Sequence, residues 1–246
     1  MMGFGADLRR FERCKSTQDE ARLAASQGAQ EGCVILADAQ DAGRGRWGRR
    51  WEDAPGKSLL FTVLLDAKAL QPATLPLYLG LATVVALRGL GLGQAGVKWP
   101  NDLWVGGRKL GGLLLETHGP WVLAGCGLNV GQAAEDLPPE LRASATSLSL
   151  EGLPVGRDAV LAAVLQAWEG GLESWKKGGF GPFLARFEAV DALKGLDCDV
   201  RSGGQVLQGR YLGVDPSGAL RLGLPGGEER RLQSAEIEQV RPSSPD

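Results

Sequence analysis

Four arginines fall within seven residues, at Arg44, Arg46, Arg49 and Arg50, interleaved with Gly43, Gly45 and Gly48 and closed by Trp51. A guanidinium is permanently charged and presents a planar fork of donors. Glycines let a backbone bend close to a ligand and turn its N–H groups inward. Together they suit the holding of carboxylate and phosphate groups, with Trp47 and Trp51 available to stack on a ring or a base. A solvated surface loop is the simpler reading of a charge run, but Gly-Arg-Gly-Arg flanked by tryptophan is an unusual composition for one. The segment has no apolar period, so it buries little; it is expected to be mobile until an anion sits among its arginines. The glycines also satisfy G-x-G-x-x-G. A dinucleotide-binding loop needs a helix directly after them, and here Pro55-Gly56 and an apolar run follow. Gly56-Lys57-Ser58 resembles the end of a P-loop, yet position 51 is tryptophan where that motif needs glycine.

Lys98-Trp99-Pro100-Asn101-Asp102 is followed by Arg108-Lys109-Leu110-Gly111-Gly112. Gly106-Gly107 between them is a hairpin signal. Folding back brings Lys109 near Asn101 and Asp102 across two strands, a set able to hold a phosphate, a Mg²⁺ ion and a base edge. Taken alone, a polar hairpin with one salt bridge is the better reading. Strand alternation places Arg108 and Lys109 on opposite faces. Gly125-Cys-Gly127-Leu-Asn129 reads as an apolar strand running into glycines and one amide, or as a strand end with a turn asparagine. Ser16-Thr17-Gln18 reads as a helix N-cap, which is also a natural place for small-molecule oxygens. His118 is the single histidine, in a His118-Gly119-Pro120 turn between strands; one histidine excludes a histidine-based metal site, and no Ser-His-Asp arrangement is arguable.

Certain elements must position these groups. Strands are expected at Leu8–Lys15, Cys33–Ala37, Ser58–Leu65, Val97–Val105, Arg108–Glu116 and Trp121–Val130. Helices are expected from Ser16-Thr17 to Gly28, over Leu75–Leu90 and over Arg157–Lys176, the last with apolar residues at 160, 161, 164, 165, 168, 172 and 175. Phe180–Val190 extends that helix after a Gly-Gly break, and Gln132–Pro154 reads as loop. From about Gly195, short runs alternate with turns at Ser202-Gly-Gly204, Asp215-Pro-Ser-Gly218 and Pro225-Gly-Gly227, as in a small β-barrel. The expected class is α+β, a mixed sheet flanked by helices, with domains at 1–193 and 194–246.

The chain has 246 residues, 43% hydrophobic, with a formal net charge of −2. That allows a sizeable core and gives none of the basic bias of a duplex-DNA binder. Cys14, Cys33, Cys126 and Cys198 include no C-x-x-C pair and read as buried, reduced thiols. Neither a signal peptide nor a membrane span is visible, so a cytoplasmic protein is expected.

In order and spacing, Ser16-Thr17, Gly-Arg-Gly-Arg-x-Gly-Arg-x-Trp (43–51), Lys-Trp-Pro-Asn-Asp (98–102), Lys-Leu-x-Gly (109–112) and Gly-x-Gly-x-Asn (125–129) resemble the catalytic domain of the biotin–protein ligases, over about residues 8–190. Gly209-x3-Gly213-Val-Asp-x2-Gly218-x-Leu220 is similar to that family's C-terminal SH3-like barrel. The resemblance implies activation of biotin with ATP and Mg²⁺ to biotinyl-AMP. Transfer to a lysine of a biotin carboxyl carrier protein would follow. It further implies that Ser16, Thr17, Gln18, Gln40, Gly43, Arg44, Gly45 and Gly112 line the biotin pocket. Arg46 and Lys109 would be the catalytic pair, contacting the biotin carboxylate and the α-phosphate. Arg49, Trp51, Asn101, Asp102 and Asn129 would join them in holding ATP, with Trp51 near the adenine and Asp102 as Mg²⁺ partner. Gln18 stands where the family usually has asparagine. The chain starts at the catalytic domain, without the winged helix of the repressor members, so no DNA partner is expected. A lipoate–protein ligase is the nearest rival, and a non-catalytic sensor of biotinyl-AMP is a rival of another class. Arg44 and Arg46 with Lys-Trp-Pro-Asn-Asp favour biotin.

Overall fold

The computed structural model describes residues 3–71 and 73–243. Strands β1 (Leu8–Phe11), β2 (Val34–Ala37), β3 (Ser58–Asp66), β4 (Ala95–Lys98), β5 (Asp102–Val105), β6 (Arg108–His118) and β7 (Trp121–Asn129) form one sheet in the order β1-β2-β3-β7-β6-β5-β4. β1 and β2 run parallel and the other neighbours antiparallel, so the sheet is mixed, as expected. Helices α1 (Thr17–Ser26), α2 (Leu75–Gly89), α3 (Arg157–Gly178) and α4 (Leu184–Glu188) cover it.

The pleat decides which helix covers which face. Leu59, Phe61, Val63 and Leu65 of β3 join the main core with α2 and α3. Leu64 turns the other way, into a small cluster with Ala21 and Ala24 of α1. All seven apolar positions expected on α3 are buried. Trp168 anchors that face by donating its indole N–H to Thr83 Oγ1 at 2.9 Å, while its carbonyl accepts from Tyr78 Oη at 2.6 Å. On the opposite face α1 starts at Ser16, whose hydroxyl accepts from the Gln18 amide at 3.3 Å.

The expected single strand at 97–105 is two strands. β4 and β5 pair antiparallel, Lys98 opposite Asp102, around a turn at Trp99-Pro100-Asn101 whose Trp99–Pro100 bond is cis. Proline cannot donate to a sheet ladder, and here it breaks the run. β1 stops at Phe11, short of Lys15, and the expected 180–190 helix is a 3₁₀ turn at Gly181–Phe183 followed by α4.

Beyond a joint near Asp191 come β8 (Asp197–Ser202), β9 (Gln205–Val214), β10 (Leu220–Gly223), β11 (Glu229–Leu232) and β12 (Ile237–Pro242). They form an antiparallel sheet ordered β11-β10-β9-β8-β12. Its two edge strands are not paired with each other, so the barrel expected from sequence is open. Its core residues, among them Tyr211, Leu220 and Ile237, are continuous with the main core. Trp99, 1% exposed, ties the two domains by donating to the Gly218 carbonyl at 3.0 Å.

Candidate active site

Residues directly opposite one another in an antiparallel sheet point to the same face. One such row runs Leu60, Gly127, Gly112, Asp102, Lys98 across five strands, and all five line one cavity on the α1 side. A second row places Thr62 beside Gly125 and Gly125 beside Leu114. The glycines hollow the sheet. A Cβ at Gly125 would collide with Gln18 Nε2, and one at Gly127 would lie 2.9 Å from the Trp51 ring. The motif glycines are therefore seats for Gln18 and Trp51.

The most buried part of the cavity lining is Ser16, Thr17 and Gln18, with Gln40 beside them. Thr17 donates its N–H to Gln40 Oε1 at 2.8 Å, and Thr62 donates its hydroxyl to Thr17 Oγ1 at 2.9 Å. Gln18 Nε2 donates to the Leu114 carbonyl at 2.8 Å, which leaves Gln18 Oε1 buried and without a partner. A buried acceptor in that condition is costly unless a ligand donates to it.

In the more exposed part of the lining, Lys109 Nζ meets Asp102 Oδ1 at 2.7 Å and lies 5.7 Å from the centre of the Trp51 ring. Arg108 pairs with Glu151 at 2.8 Å instead, as alternation along β6 requires. Asn101 donates to the Leu113 carbonyl at 2.6 Å and lines the same cavity. A second cavity adjoins the first, and Arg49, Arg50, Trp51, Lys98, Asp102, Lys109 and Gln239 form the wall they share. Asn129 lines only this second lobe, donating to the Thr146 carbonyl at 2.9 Å and accepting from Gln132 at 3.1 Å.

The arginines part company. Arg44 is committed to Asp19 through two bonds of 3.0 and 2.8 Å and lies 3.6 Å from Glu116. That pairing holds the Asp19 carboxyl below its ordinary range. Arg44 thus lines the cavity as part of an ion-pair network on α1 rather than as a free cation. Arg46 has main-chain carbonyls as its hydrogen-bond partners and, among the described residues, no carboxylate, and burial pushes its guanidinium below its usual value. Gly45 lines the cavity, while Gly43 is buried behind it against Trp51 and Gln40.

Sequence reasoning quoted Lys98 within its motif but gave it no role. Its ammonium lies 4.4 Å from the centre of the Trp104 ring and burial lowers it to about 8. It lines both lobes. Also missed were Ile237, Glu238, Gln239 and Val240 of the second domain, which close the cavity opposite the sheet.

A mixed sheet hollowed by glycines, a cationic wall between two lobes and an arginine loop above them define a domain built to hold two anionic or polar ligands side by side. The biotin/lipoate A/B protein ligase family model matches residues 10–129, and the biotin protein ligase C-terminal domain model matches residues 197–239. The biotin--[acetyl-CoA-carboxylase] ligase of Mycobacterium tuberculosis is 32% identical, the alignment covering 92% of this chain and 88% of that protein. The enzyme of the same name from Paracoccus denitrificans is 33% identical, over 88% of this chain and 94% of its own. The biotin protein ligase of Aquifex aeolicus in complex with biotin and ATP superposes with a TM-score of 0.87 at 28% identity, covering 97% of this chain and all of that one. The chain belongs to the biotin protein ligase family.

Proposed function

We propose that this chain activates biotin with ATP and transfers it to a lysine of a biotin carboxyl carrier protein, in the cytoplasm. The supporting observation is the shared wall, where Lys109, Lys98 and Asp102 stand between a smaller lobe and a wider one. Biotin enters the smaller lobe. Its ureido N–H groups reach Gln18 Oε1, the buried acceptor left unpartnered, and its carboxylate points back toward Lys109 and Arg46. ATP occupies the wider lobe, its base against Trp51 and toward Asn129.

A carboxylate oxygen then attacks the α-phosphorus, the bond to the bridging oxygen breaks, and pyrophosphate leaves with the electron pair. Two anions are brought together and negative charge grows in the transition state. Positioned cations that exclude water are what lowers this barrier, and Arg46, Lys98 and Lys109 are placed for it. In the second step the acceptor amine attacks the acyl carbon, gives up a proton, and AMP departs. Loop closure over the acyl-adenylate keeps water from it.

Among the described residues Asp102 is the one carboxylate on the shared wall. Mg²⁺ is commonly held by one or two carboxylates together with substrate phosphates, so Asp102 fits a Mg²⁺ ion arriving on ATP. Such an ion would neutralise phosphate charge. Among the described residues no group of three His, Cys, Asp or Glu side chains could hold a metal by itself.

Mass spectrometry of the protein mixed with biotin, ATP and Mg²⁺ is the test. Biotinyl-AMP is expected, followed by mass addition to a carrier-domain lysine. An adenylate formed with lipoate and not with biotin would overturn the reading in favour of the lipoate ligases.

A further inference from the structure

Trp47 sits at φ 59°, ψ 31°, the left-handed region in which an L side chain crowds its own backbone. It is the one non-glycine residue there among the described residues, in a segment that has glycine at 45 and 48. A bulky residue in that conformation persists where its surroundings hold it. Burial is not what holds this one, because Trp47 is 55% exposed. Its surroundings are main-chain carbonyls of the second domain. The indole Nε1 donates to Ile237 O at 3.2 Å. Arg46 donates to Ser234 O at 2.5 Å and Arg49 to Glu238 O at 3.2 Å. Every donor is on the loop and every acceptor lies within 234–238.

We infer that Trp47 is a positioning residue: it latches the Gly-Arg loop to the start of β12, and so sets Arg46 and Arg49 over the two lobes. The acceptors belong to the stretch that closes the cavity, since Ile237 to Val240 line it. Loop and β12 therefore form one lid, and releasing either loosens the other. The kinetic consequence rests on the ligase reading; the structural one does not.

Two variants of the full chain separate the latch from a general folding role. Trp47→Phe keeps the ring and the backbone conformation but removes the N–H. Trp47→Gly removes the ring and the backbone crowding together. Hydrogen exchange is measured over 43–51 and 234–239, alongside ATP–pyrophosphate exchange with biotin and the Tm. Both variants are expected to lose protection in both segments. The loss of one hydrogen bond should raise KM for ATP about threefold to tenfold while kcat stays within about twofold. Tm should be unchanged in Trp47→Phe and no lower in Trp47→Gly. A merely structural role would instead lower Tm and kcat and spare KM, which would overturn the proposal. So would wild-type protection of both segments in Trp47→Phe. If the unaltered protein exchanges no pyrophosphate with biotin, the ligase reading falls, and the protection of the two segments still decides the latch.

Discussion

The floor of the cleft and its roof hold polar groups by different means. On the floor, Thr17, Thr62, Gln40, Asn101 and Asn129 are neutral and already bonded to neighbours of the first domain. On the roof, Arg46 and Arg49 carry full charges and have uncharged carbonyls of another domain as their hydrogen-bond partners. Gln18 Oε1 apart, which waits for a donor, a floor of satisfied neutral groups is preorganised and costs little to keep empty. Cations such as Arg46 and Arg49, whose hydrogen-bond partners are uncharged carbonyls, gain most when an anion arrives, because charge-assisted bonds are roughly twice as strong as neutral ones. The floor suits recognition of shape and hydrogen-bonding pattern, and the roof suits the charge that develops during phosphoryl transfer.

The largest effect expected on this division lies where the two meet, at Lys109. Lys109→Ala should lower adenylate formation by about 10²-fold or more, as the loss of one preorganised electrostatic contact does. Arg108→Ala, whose partner is Glu151 on the opposite face, should be near neutral by the same pyrophosphate-exchange assay. Equal losses would erase the facial assignment. Next is the rigidity of the floor. A Cβ at Gly111 would lie 2.5 Å from the Gly127 carbonyl, and backbone cannot move aside cheaply. Gly111→Ala should therefore cost about 2 kcal/mol or more in urea unfolding. An unchanged midpoint would mean that the floor yields. The smallest effect concerns the joint carrying the roof. Asp191 accepts from Tyr211 Oη at 3.0 Å and from the Leu193 amide at 3.1 Å, and burial raises its carboxyl to about 6 from an ordinary 3.8. Between those values the folded chain holds more protons than the unfolded one, so this group's stabilisation is present at low pH and lost as pH rises through about 6. The stability of the native chain relative to Asp191→Asn should fall between pH 4 and pH 7. A difference independent of pH would remove Asp191 from the account.

Much of the floor was legible in the sequence because it is written in local pattern. The seven apolar positions of α3, the Ser16 cap and the alternation separating Arg108 from Lys109 each follow from one residue's neighbours along the chain. The proline in Lys98-Trp-Pro-Asn-Asp was outweighed by the apolar run around it, so β4 and β5 were merged and the pairing of Lys98 with Asp102 was hidden. The roof was legible in composition but not in geometry. Nothing near Arg44 announces that Asp19 will take it, and nothing near Trp47 names the Ile237 carbonyl, 190 residues away. Contacts between domains leave no period in either segment. Lys98 was missed for a related reason, since a lysine becomes notable through its burial against Trp104, which is a tertiary fact.

The contrast between floor and roof is tested most directly by hydrogen exchange with and without biotin and ATP together. The roof, residues 43–51, should gain protection beyond what its bonds to 234–238 already give it when the adenylate forms, and trypsin should cut less after Arg44, Arg46, Arg49 and Arg50. The floor, at residues 16–18 and 123–129, should change little in its main-chain exchange, because its bonds, that awaited by the Gln18 side-chain oxygen apart, are already made. Protection that rose equally in both regions, or a roof as exposed with the ligands as without them, would contradict the account.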